Sequence, residues 1–149
     1  MDPRPVTYRV LVIEDDPITL EMLRQTFQHH RWECFTATNG AQGWALAKQE
    51  IPDVILSDLL LPMKHGFQIL RQAKSDAQLR STKVVIMTAS GNEQTRAEAR
   101  QLGAEAYFDK PFDLEELVKT LTQLLAPATG QRSAPKPTPA APGDRFILP

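Results

Sequence analysis

The sequence predicts a doubly wound α/β domain, a parallel sheet with helices on both faces. Two observations predict it. Five short apolar runs alternate along the chain with segments of helical period, the pattern of repeated strand–helix units joined by right-handed crossovers. Four of the runs also lead into residues that can do chemistry, at the strand ends where open α/β sheets hold their ligands. Glu14 and Asp15 follow the first, Asp58 closes the third, Thr88 follows the fourth and Lys110 the fifth.

Tyr8–Ile13 reads as the first strand, nearly all apolar at its end, and it stops at Glu14-Asp15-Asp16-Pro17. Pro suits the first position of a helix and Asp the cap before it, so Asp16 is expected to cap a helix starting at Pro17. Leu20, Leu23 and Phe27 make its apolar stripe. Trp32–Ala37 is a second strand with looser patterning, Asn39-Gly40 a turn, and 40–50 a short Ala-rich helix ended by Pro52. Val54–Asp58 is the third strand. Val, Ile and Leu in succession suit burial on both faces. The loop Pro62–Gly66 leads to a helix with Phe67, Leu70 and Ala73 inward. Lys83–Met87 is the fourth strand, and Thr88–Gly91 a corner of small and polar residues. The helix over about 92–102 is mostly polar, with Ala97 and Leu102 as its apolar positions and Gly103 placed as a C′ glycine. Ala106–Phe108 is a short fifth strand ending in Asp109-Lys110-Pro111. The last helix has the clearest period, in Leu114, Leu117, Val118, Leu121, Leu124 and Leu125, with Asp113, Glu115 and Glu116 at its N-terminus where the helix dipole favours them.

Bulk properties narrow the classes. A chain of 149 residues with net charge −1 predicts one domain with a real core, and its charge supplies no reason to bind nucleic acid or an anionic membrane. The lone Cys34 cannot make an internal disulfide, no Cys/His cluster has zinc spacing, and no run has transmembrane length, so a soluble protein in a reducing, cytoplasmic setting is expected. Residues 1–7 read as a leader. From Pro127 the composition turns rich in Pro and Ala, holding half of the 12 prolines, so 126–149 reads as an extended, disordered tail or linker. Its end, Phe146-Ile147-Leu148, is apolar, which is odd for a solvated tail.

The strand-end residues share one edge of a parallel sheet, so they can converge. Three carboxylates close together stay ionised only beside a cation. A hard divalent ion with oxygen ligands and waters fits, which points to Mg²⁺. With the ammonium of Lys110 and the hydroxyl of Thr88, the set makes a receptor for a phosphoryl group.

Over residues 8–125 the chain resembles the receiver domain of two-component response regulators, of the kind typified by the chemotaxis regulators. The resemblance rests on Leu11-Val12-Ile13-Glu14-Asp15-Asp16-Pro17, on Ser57-Asp58 with Pro62 and Gly66, on Met87-Thr88-Ala89, and on Gly103-Ala104 leading to Tyr107-Phe108-Asp109-Lys110-Pro111-Phe112. Four motifs in order, at strand ends with the family's spacing, are a specific signal. The resemblance implies a flavodoxin-like five-stranded sheet of order 2-1-3-4-5. Asp58 is then the phosphoacceptor, taking the group from a phosphohistidine on a sensor histidine kinase or phosphotransfer protein. Asp15, Asp58 and the main-chain carbonyl of Leu60 hold Mg²⁺, and Glu14 helps through a metal-bound water. Thr88 and Lys110 hold the phosphoryl oxygens, Tyr107 is the switch aromatic, and the Lys110-Pro111 bond is cis. Phosphorylation moves Thr88 and Tyr107 and so re-forms a surface read by a downstream protein. The family's usual pairing face, the fourth helix with the fifth strand and helix, is where a homodimer would form. No output domain is expected in the last two dozen residues, and the chain either acts alone or is a segment of a longer protein. No turnover of an external substrate is expected, only self-phosphorylation and slow self-dephosphorylation.

Two departures stand out. Leu60 occupies a position that is often polar in the family, which predicts a long-lived phosphoryl form, with Ser90 a partial substitute. Lys64 and His65 stand where Met and Asp are common, which predicts altered partner recognition. The plainer readings are that Asp58 caps a loop, that Tyr107 is an ordinary strand aromatic, that His29 and His30 are solvated, that His65 is a loop residue, and that Cys34, Trp32 and Trp44 only pack. The rival functions are a phosphorylation-independent interaction module of the same fold and a Mg²⁺-dependent phosphate-ester hydrolase.

Overall fold

Successive strand residues point to opposite faces, and here both sets are apolar, so the sheet is buried on both sides. The computed structural model describes residues 7–89 and 91–126, and the backbone of 145–147. Five strand–helix units follow one another: β1 (Arg9–Ile13) and α1 (Pro17–His29), β2 (Glu33–Ala37) and α2 (Gly40–Glu50), β3 (Val54–Asp58) and α3 (Gly66–Ser75), β4 (Lys83–Thr88) and α4 (Glu93–Gln101), β5 (Ala106–Asp109) and α5 (Leu114–Leu125). These strands are parallel in the order β2-β1-β3-β4-β5, the predicted sheet. Leu11, Ile13, Ile55, Val84, Ile86 and Tyr107 face one way and pack with α2, α3 and α4 residues such as Ala47, Leu70 and Ala99. Val10, Val12, Leu56, Val85, Met87 and Phe108 face the other and pack with Leu23, Phe27, Leu117 and Leu121 of α1 and α5.

The helix starts are set locally. The Asp16 carboxylate accepts from the amide and hydroxyl of Thr19, at 3.0 and 2.6 Å, which makes Asp16 the cap of α1 as read from the sequence. Those bonds hold its carboxyl below the usual carboxylate range. Asn39 and Asn92 cap α2 and α4, and Asp113 caps α5. His65 caps α3, its Nδ1 accepting from Phe67 N at 3.1 Å, so it has a defined structural place and is more than a loop residue. Gly103 follows α4 at φ 101°, a left-handed conformation that costs glycine little. In α4 the buried residue is Ala99, whereas Ala97 faces solvent.

The backbone of Arg145–Ile147 forms β6, antiparallel to β5, with Tyr107 opposite Phe146. Composition alone had placed these residues in a disordered tail. The rest of that tail (127–144, 148–149), most of the expected leader (1–6) and Ser90 lie outside the described residues.

Ile55 is fully buried in the middle of the sheet, and Ile18 is 78 % exposed on α1. Ile55→Ala is therefore expected to lower the unfolding free energy by about 2–5 kcal/mol in urea denaturation, while Ile18→Ala changes it by no more than about 0.5 kcal/mol.

Candidate functional site

Parallel strands deliver their C-terminal ends to one edge, and the predicted acidic residues meet there. Glu14 directly follows β1; it is fully buried, and its amide bonds to Ala37 O at 3.0 Å. Asp15, next in the chain, is exposed. Asp58 closes β3 and is 7 % exposed. Carboxylate oxygens of the three lie within 4.8 Å of one another.

One cation sits among them. Lys110 Nζ is 2.6 Å from Glu14 Oε1 and 3.1 Å from Asp58 Oδ2. Burial by itself would depress the lysine pKa, but its bonds to Glu14 and the charge of Asp58 outweigh that and raise it. Glu14 is pushed above the ordinary carboxylate range, chiefly by burial and further by the charge of Asp58. Its bonds with Lys110 and with the Asp16 amide, the latter at 2.9 Å, pull the other way. The Lys110 amide donates to Thr88 O at 2.9 Å, and the Lys110-Pro111 bond is cis. Thr88 itself is 1 % exposed at the end of β4.

The loop after Asp58 is folded back onto it. Gly66 N donates to Leu59 O at 2.8 Å, and a Cβ at Gly66 would lie 2.5 Å from Asp58 O, so this position admits only glycine. Pro62 O accepts from Gly40 N at 3.0 Å, which ties the loop to the start of α2. Within the loop, Leu60 and Met63 turn outward, 54 and 77 % exposed. No polar side chain stands at position 60.

Tyr107 lies on β5 away from the carboxylates, fully buried. Gly91 lies against its hydroxyl, so closely that a side chain there would collide with it. The guanidinium of Arg96, on α4, stacks 5.2 Å from the ring centroid and reaches Asp109 at 3.3 Å. Burial, reinforced by the charge of Asp109, pushes the phenol up to about 12, with Arg96 opposing. Neither Arg96 nor Gly91 was singled out from the sequence. An Arg on a polar helix carries no periodic signal, and its partners lie across the α4–β5 connection.

The donor set is all oxygen, with more negative charge than Lys110 balances. Asp15 on the open side leaves an approach from solvent. A hard divalent cation fits such a set. Among the described residues, no helix is long and apolar enough to cross a membrane.

Comparisons with known proteins agree with this geometry. Residues 10–122 match the family described as the response regulator receiver domain. Protein PilH of Pseudomonas aeruginosa is 37 % identical over 118 residues, covering 79 % of this chain and 98 % of that protein. The DNA-binding dual master transcriptional regulator RpaA of Synechocystis is 33 % identical over 117 residues, 78 % of this chain but 48 % of that protein. The chain thus spans nearly all of one relative and about half of the other. The structure of the chemotaxis response regulator CheY4 of Vibrio cholerae superimposes with a TM-score of 0.75 at 29 % identity, over 80 % of this chain and all of that one.

Two outcomes follow from the charges. Lys110→Met leaves Glu14 buried without its cation, and is expected to cost about 3–5 kcal/mol at neutral pH in metal-free buffer. Because Glu14 already has a raised pKa, that cost should shrink as the pH falls and Glu14 takes up a proton, a trend read from denaturation midpoints across pH. Arg96→Met, in a Tyr8→Phe background, tests what holds Tyr107. If Arg96 keeps the ring inside, the phenol titration should fall from about 12 toward the free value of ~10 as the ring swings out. A further rise would mean that Arg96 acts only through its charge.

Proposed function

Because this chain belongs to the response regulator receiver family, we propose that it is a phosphorylation-controlled switch in which Asp58 is the acceptor. The observation that carries this reading is the meeting of Glu14, Asp15 and Asp58 at one sheet edge, with Lys110 paired to Glu14 and Asp58. Asp15, Asp58 and the carbonyl of Leu60 would hold Mg²⁺, with Glu14 acting through a metal-bound water. When bound, the ion would neutralise charge on the phosphoryl oxygens as they approach the carboxylates.

The chain's own residues supply the rest. Asp58 attacks phosphorus with a carboxylate oxygen; the P–O bond forms as the P–N bond to the donor histidine breaks, and the imidazole leaves as the neutral base or takes up a proton. Lys110 and Thr88 hold the transferred oxygens. Lys110 then exchanges part of its pairing with Asp58 for pairing with the phosphoryl group, which adds negative charge and acceptor oxygens. Thr88 and Tyr107 carry the change to α4 and β5. In this reading α4 moves readily because it buries little beyond Ala99, and Arg96 couples its position to β5.

A sensor histidine kinase or phosphotransfer protein would deliver the group, and the rim of the site suits one. Ile18 on α1 and Leu60 and Met63 in the loop after β3 are exposed apolar side chains on segments that flank the acidic edge, the kind of surface a partner covers. The switched face is read by a downstream protein. The face of α4, β5 and α5 is the one this reading assigns to a second copy. A cytoplasmic setting belongs to the same reading, as does the absence of turnover on external substrates, since among the described residues the site holds no separate group to activate water.

Incubation with Mg²⁺ and a small acyl-phosphate, or with the cognate kinase, should add one phosphoryl group to the intact mass. The addition should vanish without Mg²⁺ and in Asp58→Asn. A wild-type chain left unmodified by both donors favours the phosphorylation-independent module instead. With no polar group at position 60, the phosphoryl form should persist for minutes or longer, and Leu60→Asn should shorten its lifetime roughly tenfold or more. A wild-type lifetime of seconds contradicts this.

A further inference from the structure

β5 is the last of the parallel strands, and its residues are more deeply buried than those of β2 at the other side. In β2 Glu33 is exposed and Thr36 half-buried, whereas Ala106, Tyr107 and Phe108 are all buried. An open edge on such a strand is a template for another chain. The backbone of Arg145–Ile147 lies along it, antiparallel, with Ala106 opposite Ile147 and Phe108 opposite Arg145. We propose that residues 145–147 are a built-in strand ligand for the β5 edge, so that the chain's own tail occupies the surface a second copy or another protein would need for strand addition.

Three observations support this occupant. The first is hydrogen-bond direction. Glu105 N donates to Val84 O at 2.8 Å. By alternation Tyr107 also turns its main chain toward β4, and Ala106 and Phe108 turn theirs outward. Those two are the residues that face Ile147 and Arg145.

The second is the sequence. Phe146-Ile147-Leu148 is an apolar end on a Pro- and Ala-rich stretch that has little of its own to bury. Such a run is explained if it has a strand to pair with.

The third is reach. Leu124, Leu125 and Ala126 line a groove with Pro52 and Lys83, at the start of β3 and β4. β6 begins beside Phe108, toward the opposite end of the sheet. At about 3.3 Å per extended residue, the stretch 127–144 is ample. A return from that end gives the antiparallel direction observed. Tethering keeps the strand at high local concentration. Three residues make few bonds, so a partner can still displace it.

This inference does not depend on Asp58 being an acceptor, and neither does its test. Amide hydrogen exchange of the full-length, unphosphorylated chain should show Ala106 and Phe108 protected. Ile147→Pro, which removes the donor facing Ala106 and disfavours the strand, should speed both at least about tenfold while leaving Leu56 in β3 unchanged as the fold control. Protection should be the same at low and high protein concentration. Wild-type amides that exchange as freely as in the variant would overturn the proposal. So would protection that grows with concentration, which would assign the edge to a second copy.

Discussion

The ammonium of Lys110, wedged between Glu14 and Asp58, is the interaction on which the site depends. It lets two largely buried carboxylates, with Asp15 beside them, occupy one small volume at the end of the sheet. Without a cation such a cluster either takes up protons or forces its members apart. With only one, it remains negative and open on the Asp15 side. That residual charge makes the place attractive to a divalent ion. In the proposed reaction Lys110 would exchange one of these carboxylates for a phosphoryl oxygen.

Everything near the site serves to hold those charges. β1, β3 and β5 are parallel and bring their ends to one edge. Gly66 lies against Asp58 O, so the intervening loop folds back onto the end of β3. The bond from Lys110 N to Thr88 O links the lysine to the residue that ends β4. From there the path to the surface is short, because β5 carries both Lys110 at its end and Tyr107 within it. Arg96 stacks on that ring and pairs with Asp109, so α4 and β5 move as a unit or separate there. In the proposed switch, charge added at Asp58 would reach an outer face through these few contacts.

Much of this was legible in the chain. The five strands and their buried runs stand out by composition, the Asp16 cap by its place before Pro17, and Gly103 by its place after a polar helix. The strand-end carboxylates and Lys110 point to a shared edge once the strands are taken as parallel. The unread features depend on contacts between distant segments. His65 looks like a loop residue until its ring is seen accepting from Phe67 N. Arg96 looks solvated until Tyr107 and Asp109 are placed beside it. β6 sits in a stretch whose composition argues against packing, and what defines it is the edge of β5, more than 30 residues earlier in the chain.

The most direct test of the account is a Mg²⁺ titration by calorimetry on the unphosphorylated protein at neutral pH, for wild type, Asp15→Asn and Asp16→Asn. Asp15 belongs to the acidic cluster, whereas Asp16 is engaged as a helix cap. The account predicts one Mg²⁺ per wild-type chain, binding largely lost in Asp15→Asn and retained in Asp16→Asn. Equal binding by all three, or none by the wild type, would contradict it.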